Sequence, residues 1–322
     1  MPDDGRMTAQ TPDIKSATRK FSDPCRTAKG EPRATVALER LQTLWVNTGT
    51  LCNITCAHCY IESSPKNDRL AYITTAEVMP YLAEIRRLNL GTAEIGFTGG
   101  EPLMNPELIE MLDTVLTAGF RALVLTNAMK PLDHKRDALL DLRDRFGEAL
   151  DIRVSLDHFT AEHHDEERGE GAFAIALKGL KWLSENGFSV AVAGRTRWNE
   201  PLEAEREGYA DLFRREGIRI DAADPARLVL FPEMDERADV PEITTACWDI
   251  LGKSPAEVMC ASSRMVVKRK GAARPAVLAC TLLPYDPRFE LGGTLESSAR
   301  TVALNHPHCA RFCVLGGASC SA

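Results

Sequence analysis

Short apolar runs alternate with longer segments of helical periodicity through the first 235 residues of the chain. The strand-like runs are TLWVNTG (43–49), AEIGFTGG (93–100), RALVLTNA (121–128), DIRVSLD (151–157), FSVAVAGR (188–195) and ARLVLF (226–231). The helical segments between them are 74–89, 105–119, 134–147, 171–187 and 201–217. Strands that alternate with helices predict repeated βαβ units and a parallel sheet. The chain is therefore predicted to be an α/β protein, a partial (β/α)6 barrel with its functional groups at the C-terminal ends of the strands.

The pattern changes after residue 240, where glycine, proline and cysteine become frequent. Only two short strand-like runs remain there, RMVVKRKG (264–271) and PAVLAC (275–280). A small unit of this kind usually needs a metal or disulfides to stabilise it. We expect a polar, mobile leader at 1–40, the barrel at 41–238 and a small cysteine-rich domain at 239–322.

Charge and hydropathy exclude several classes of protein. The formal net charge of −7 argues against a nucleic-acid-binding surface. No run approaches the roughly 18 apolar residues that span a bilayer, and the polar N-terminus has no apolar core for a signal peptide. We therefore expect a cytoplasmic protein with no membrane partner. In a reducing compartment, its clustered cysteines would serve metal binding or catalysis.

The segment LCNITCAHCY places Cys52, Cys56 and Cys59 on the loop after the first predicted strand. The spacing C-x3-C-x2-C lets three thiolates each bind a different iron of one cuboidal cluster. Structural zinc usually takes four ligands in paired C-x-x-C units, and a nucleophilic cysteine needs only one thiol. Neither ferredoxin spacing matches this run, so simple electron transfer is disfavoured. The spacing favours an iron–sulfur site, and zinc stays open as the alternative.

The segment GFTGGEP ends the second predicted strand, beside the cysteine loop in a βα barrel. Gly99 and Gly100 allow the backbone to approach a ligand closely, and Glu101 offers a carboxylate to a cationic group. Taken alone, the same residues could form a turn that leads into a helix.

The two motifs together, at consecutive strand ends, resemble the signatures of the radical S-adenosylmethionine (SAM) superfamily, and the resemblance covers residues 43–235. It implies that the three cysteines hold three irons of a [4Fe–4S] cluster, while SAM chelates the fourth. It also implies reductive cleavage of SAM to a 5′-deoxyadenosyl radical, which abstracts hydrogen from a substrate. An electron donor such as flavodoxin or ferredoxin would then be a partner.

The resemblance implies SAM contacts on the first two loops. His58, just before the last cysteine of the motif, would lie near the adenine ring. The segment Gly99, Gly100, Glu101 and Pro102 would receive the methionyl amino group, with the Glu101 carboxylate as its charged partner.

Further SAM contacts are implied at the later strand ends. Ser155 and Asp157 match positions that contact the ribose or the carboxylate in the family. Arg195 matches a carboxylate partner, for which Arg197 is a rival. Asn127 lies in TNA, where the family more often has TNG. Ordinary loop capping is the alternative role for each of these residues.

The segment CASSRMVVKRKGAARPAVLAC resembles the opening of the SPASM and Twitch extensions, in which a glycine-turned hairpin separates two cluster ligands. Here Gly271 lies further from the second cysteine than is usual. The cysteines are too few for the two clusters of a SPASM domain, so one auxiliary [4Fe–4S] cluster is expected. Its expected ligands are Cys260, Cys280, Cys309 and Cys313, with Cys320 competing for a place.

Other residues near this site leave alternatives open. A set of four cysteines suits zinc as well as iron–sulfur clusters. His306 and His308 are close enough in sequence to serve as ligands, whereas Cys25 and Cys247 are interpreted as non-ligands.

The sequence gives less information about the substrate than about the cofactors. The first 40 residues are too short and unpatterned for a leader-binding domain, which favours a small molecule or small peptide. A peptide- or protein-modifying maturase of the SPASM type is the enzymatic alternative. An iron–sulfur electron carrier or a zinc-stabilised binding protein is the non-enzymatic one, although neither needs a GGEP segment.

Overall fold

The computed structural model of the chain describes residues 19–235 and 237–318. The strands in this part are β1 (Thr35–Val36), β2 (Thr43–Asn47), β3 (Glu94–Thr98), β4 (Arg121–Thr126), β5 (Leu150–Ser155), β6 (Ser189–Thr196), β7 (Leu228–Pro232), β8 (Ser263–Val267), β9 (Ala276–Leu278), β10 (Glu290–Gly292) and β11 (Val302–Ala303). The α-helices are α1 (Thr75–Leu88), α2 (Leu108–Thr117), α3 (Lys130–Asp133), α4 (Arg136–Phe146), α5 (Ala161–Arg168), α6 (Ala172–Glu185), α7 (Leu202–Glu216) and α8 (Cys247–Leu251).

Nine strands of the described residues form one sheet, in the order β10-β9-β8-β2-β3-β4-β5-β6-β7. The six strands β2 to β7 form five parallel pairs, in which each strand from β3 to β7 lies beside its predecessor in the chain. Their helices pack on one side and bury a continuous apolar core that contains Leu44, Phe97, Val124 and Ile152. The α/β class and the six parallel strands of the partial barrel are confirmed.

The cysteine-rich C-terminal region continues the barrel sheet. Strand β8 pairs in parallel with the free side of β2, with Met265 opposite Trp45, and β9 then pairs antiparallel with β8. Trp45, Met265 and Leu278 have no exposed surface and form one cluster. One sheet therefore continues across residue 238, because β8 supplies the hydrogen-bonding partner that the edge of β2 needs.

The prediction of a mobile leader is wrong for residues 19–40. Phe21 and Val36 are buried in the second apolar core, and β1 pairs with β11 near the C-terminus. The guanidinium of Arg33, with no exposed side-chain surface, forms an ion pair with Glu242. These long-range contacts stabilise a segment whose polar composition gave no sign of them. Residues 1–18 of the expected leader lie outside the described residues.

Helix α5 was not predicted, because its sequence AEHHDEER has no apolar face. It follows β5 and lies near the C-terminal ends of the strands, where the expected site is. None of the helices in residues 19–235 and 237–318 has the length and apolar character that a membrane crossing requires.

The shared sheet predicts that the barrel depends on its C-terminal extension. Deleting residues 239–322 removes β8 and leaves Trp45 and the edge of β2 exposed. We expect the fragment to lose cooperative thermal unfolding and the near-ultraviolet circular dichroism of a packed Trp45. A fragment with the near-ultraviolet spectrum and the single unfolding transition of the full chain would contradict this dependence.

Candidate functional site

The loops after strands β2 to β7 enclose one cavity at the C-terminal edge of the sheet. Most residues that the sequence singled out lie in its wall, together with apolar side chains such as Leu125, Phe231 and Phe312. The predicted residues in the wall are Cys52, Cys56, His58, Cys59, Gly99, Gly100, Asn127, Ser155, Asp157 and Arg195.

The three cysteines of the first motif are free thiols in this wall. Burial raises the pKa of Cys52 to about 12, and burial also raises the pKa of Cys56. Two hydrogen-bond donors nevertheless approach the sulfur atoms. The backbone N–H of Ser63 donates to Cys59 Sγ over 3.3 Å, and Asn127 Nδ2 lies 3.8 Å from Cys52 Sγ. A partly buried set of thiols with donors to sulfur suits a metal centre, whose cationic core would deprotonate the thiols and bind them as thiolates.

The two glycines of the second motif pack against the backbone of the cysteine loop. Gly100 N donates to Gly49 O over 2.8 Å, and Glu101 N donates to Leu51 O over 3.1 Å. A Cβ atom on Gly99, whose φ is +143°, would lie 2.5 Å from Gly49 O, and one on Gly100 would lie 2.2 Å from Leu51 O. No side chain is tolerated there without moving the segment that leads into Cys52.

The Glu101 side chain is 1% exposed, and its carboxylate is held by hydrogen bonds within the protein. Its Oε1 accepts hydrogen bonds from Leu103 N (3.0 Å) and Thr126 Oγ1 (2.8 Å), and its Oε2 accepts one from Asn127 N (2.8 Å). Burial raises the pKa of Glu101, and these three donors oppose that rise. Glu101 thus joins the end of β3 to the end of β4, and neither it nor Pro102 is part of the cavity wall.

Glu167, on the unpredicted helix α5, is the centre of the ion-pair network beside the cavity. Its side chain has no exposed surface, and its carboxylate contacts three cationic or titratable groups. His58 Nδ1 lies 2.9 Å away, Arg195 Nη1 3.1 Å and Arg197 Nε 2.9 Å. The backbone carbonyl of Glu167 also accepts a hydrogen bond from Ala57 N. This one residue therefore connects the cysteine loop to the end of β6.

The neighbouring Arg168 forms a bidentate ion pair with Asp157, through Nε (2.7 Å) and Nη2 (2.9 Å). Burial raises the pKa of Asp157, but the charge and hydrogen bonds of Arg168 outweigh it, and the pKa falls below its usual value. The Arg168 guanidinium also lies in the cavity wall, where its charge lowers the pKa of Cys56 against the effect of burial. Asp157 is thus already paired within the protein.

The structure distinguishes the two rival arginines. Arg197 has two of its nitrogens engaged, Nε with Glu167 and Nη1 with Glu233 (2.6 Å). Arg195 uses only Nη1, and its Nε and Nη2 are buried without a hydrogen-bond partner among the described residues. Buried guanidinium donors without acceptors are costly, so a ligand carboxylate beside Arg195 would satisfy them.

A second group of thiols lies around a small apolar cavity of about 20 Å³ in the C-terminal core. Cys260 precedes β8, Cys280 follows β9, and Cys309 and Cys313 lie one turn apart on the π-helix Cys309–Leu315. Burial raises the pKa of Cys260 to about 11, and burial together with the nearby Cys280 and Cys260 raises that of Cys309. Four thiols around one cavity are a donor set for a tetrathiolate metal centre.

The remaining candidates among the described residues do not line this cavity. Cys25 is exposed, and Cys247 Sγ accepts hydrogen bonds from Thr244. His306 and His308 are buried, and burial lowers the pKa of each to about 4, so both imidazoles are neutral. Cys320 lies outside the described residues.

The position of Glu101 predicts a mainly structural effect for Glu101→Gln. An amide nitrogen would replace one acceptor oxygen and face a donor, so a buried hydrogen bond is lost. We expect the free energy of unfolding of the metal-free protein to fall by about 1–3 kcal/mol in urea titrations. Glu110→Gln, on the exposed side of α2, is the matched control. Equal stabilities of the two variants would disprove this role of Glu101.

Comparisons with known proteins agree with this geometry. The family model described as "Radical SAM superfamily" matches residues 46–196. The subtilosin biosynthesis protein AlbA of Bacillus subtilis is 35% identical over 143 residues, which cover 44% of this chain and 30% of AlbA. The mycofactocin maturase MftC of Mycobacterium ulcerans is 32% identical over 140 residues, covering 44% of this chain and 36% of MftC. The matches thus span about a third of the length of these curated relatives.

Solved structures share the fold at low sequence identity. SuiB of Streptococcus suis, bound to S-adenosylmethionine, superimposes with a TM-score of 0.57 at 11% identity, over 79% of this chain and 63% of SuiB. The structure of anSMEcpe with bound AdoMet gives 0.56 at 14% identity, over 80% of this chain and 77% of that protein. Residues 46–196, which carry both motifs at adjacent strand ends, thus match the radical SAM superfamily.

Proposed function

We propose that this protein is a radical SAM enzyme that modifies a peptide, with a catalytic [4Fe–4S] cluster on Cys52, Cys56 and Cys59. The observation that carries the proposal is that these thiols, Gly99–Gly100 and the partly unpaired Arg195 line one cavity. When bound, the cluster and SAM supply a 5′-deoxyadenosyl radical that abstracts hydrogen from the substrate. An external one-electron donor, such as flavodoxin or ferredoxin, would supply the electron that SAM cleavage consumes.

The protein's contribution begins with the thiolates. Ser63 N and Asn127 Nδ2 donate to two of the three sulfurs, and the Arg168 charge lies in the same wall. Hydrogen bonds to cluster sulfurs and nearby charge are two means by which a protein sets a cluster potential.

The same cavity wall offers a set of SAM contacts. Arg195 would bind the SAM carboxylate through its free donors, and His58, held by Glu167, would lie beside the adenine. Ser155 would contact the ribose, because both oxygens of Asp157 already accept hydrogen bonds from Arg168. The Glu101 carboxylate would stabilise the ends of β3 and β4 through its three hydrogen bonds, and other acceptors would bind the SAM ammonium.

The apolar part of the wall would protect the radical. Leu125, Phe231, Leu282 and Phe312 border the cavity, and the rings of Phe231 and Phe312 stack with centroids 5.5 Å apart. These side chains offer no hydrogen bond to water, so they favour a dry site for reactive intermediates.

The second thiol group would hold an auxiliary [4Fe–4S] cluster on Cys260, Cys280, Cys309 and Cys313. Phe312 lies between Cys309 and Cys313 in sequence and borders the first cavity. An auxiliary centre placed there would be close to the substrate side of that cavity.

A peptide substrate agrees with the surroundings of the cavity. A wider cleft of about 800 Å³ adjoins it, and both include Tyr60 and Leu282 in their walls. A chain longer than the cavity could lie in this cleft while one residue enters. Among the similar proteins, MftC is named a maturase and SuiB was solved with the precursor peptide SuiA.

The assignment of two cluster sites predicts that either cluster can be removed by mutation without loss of the other. Anaerobically reconstituted protein should hold about eight irons, four per cluster. Changing Cys52, Cys56 and Cys59 to Ala should abolish 5′-deoxyadenosine formation and leave the auxiliary iron–sulfur spectrum. Changing Cys260 and Cys280 should remove that spectrum and spare the first cluster, while exposed Cys25→Ala should change neither. SAM cleavage by the first variant would refute the catalytic assignment, and about four irons with one zinc would refute the second cluster.

The difference between the two arginines predicts their roles in SAM binding. Lysine keeps the charge but cannot present a fork of donors. Loss of charge-assisted hydrogen bonds worth about 1.5–3 kcal/mol should lower SAM affinity roughly ten- to a hundred-fold in Arg195→Lys. Arg197→Lys should change it far less, because its donors already serve Glu167 and Glu233. Electron paramagnetic resonance of the reduced first cluster, titrated with SAM, measures both. Equal affinities in the two variants would contradict the assignment.

A further inference from the structure

Arg264, four residues after Cys260, is a buried arginine beside the second thiol group. It has no exposed surface, although it stands at the start of β8 where a hydrophobic residue would be expected. Its guanidinium donates to four backbone carbonyls, and two of the bonds reach Cys260 O (2.6 Å) and Ser263 O (2.7 Å). The other two reach Ser298 O (3.0 Å) and Arg300 O (3.3 Å).

The charge of Arg264 has no carboxylate partner in the part of the chain that the structure describes. Burial lowers the pKa of its guanidinium, and the groups that oppose this are the thiols of Cys260 and Cys280. Arg33 provides the contrast in the same core. Its side chain is also fully buried and donates to backbone carbonyls, but it forms an ion pair with Glu242.

A buried cation without a counter-charge costs several kcal/mol, and carbonyl dipoles offset only part of that cost. The site beside Arg264 carries four thiols, which are neutral until a metal centre deprotonates them. Four thiolates around a [4Fe–4S]²⁺ core leave two net negative charges, and one-electron reduction adds another. A loaded metal centre at these thiols would supply the counter-charge that Arg264 lacks.

We propose that Arg264 is the counter-charge of the auxiliary metal centre, stabilising its loaded form and raising its reduction potential. This rests on the proposed auxiliary cluster and concerns a residue that is not a ligand. Because the guanidinium also donates to the carbonyls of Cys260 and Ser263, it couples the charge of the centre to the geometry of the ligand loop. Arg264 is a positioning residue, which acts through charge.

The test uses the full chain with Cys52, Cys56 and Cys59 changed to Ala, so that only the auxiliary centre is observed. The compared variants are Arg264→Gln, Arg264→Lys and, as a matched control, Arg33→Gln. Two quantities are measured, the rise in Tm when the metal-free protein is reconstituted and the midpoint potential of the cluster by redox titration. The difference between loaded and metal-free protein cancels the hydrogen bonds that a substitution loses in both forms.

We expect Arg264→Gln to show a smaller rise in Tm on loading and a lower potential. The equilibrium constant for reduction should fall at least tenfold, which corresponds to about 59 mV for a one-electron couple. Arg264→Lys keeps the charge and should restore most of both quantities. Arg33→Gln should lower the Tm of both forms equally and leave the potential unchanged.

Each other outcome overturns the proposal. If Arg264→Gln matches the parent in both quantities, the charge has no role at the centre. If Arg264→Lys fails as badly as Arg264→Gln, the residue acts only through its hydrogen bonds. If the parent binds no metal at these thiols, Arg264 has no metal centre as its counter-charge. The catalytic assignment is tested separately, by SAM cleavage in the protein that keeps all ten cysteines.

Discussion

The backbone contact between residues 99–101 and 49–51 is the constraint on which the rest of the site depends. The chain after β3 runs against the chain after β2, close enough that only glycine is tolerated at Gly99 and Gly100. Because Cys52 follows directly, this contact determines where the cysteine loop leaves the sheet. Glu101 extends the constraint to the third strand end through Asn127, whose amide reaches Cys52 Sγ. The GGE segment is thus part of the scaffold that orients the thiols.

Charged residues connect the two thiol sites. From His58, beside Cys59, ion pairs lead through Glu167 to Arg197, and from Arg197 to Glu233. Glu233 also lies 3.7 Å from Arg311, on the π-helix that carries Cys309 and Cys313. Glu167 has no exposed surface and Glu233 is only partly exposed, so solvent screens this chain less than a surface ion pair. These contacts form a continuous series of charged and titratable groups between the two thiol sites.

The sequence predicted those parts that depend on local pattern. The period and length of the apolar runs predicted the six parallel strands, and the spacing of the cysteines predicted the thiols that line the cavity. Helix α5 was not predicted, because AEHHDEER shows no apolar stripe. It nevertheless supplies Glu167 and Arg168, which form ion pairs with Arg195 and Asp157 and contact His58. The hydrogen bonds of the buried Glu101 carboxylate and the pairing of β8 with β2 could not be predicted either, since both depend on contacts between distant segments. Contacts of this kind produce no local pattern in the sequence.

The buried arginines beside the two thiol sites have their charge balanced in different ways. Around the first cavity, buried arginines are matched by buried carboxylates, Arg168 by Asp157 and Arg195 by Glu167. Each of these arginines keeps an ionic partner when the cavity is empty, and a bound carboxylate would add acceptors only for the remaining donors of Arg195. At the second site, Arg264 has carbonyl partners only, in the described residues. The proposed metal centre would supply the balancing charge there, as a group that stays bound while SAM and product exchange at the first cavity.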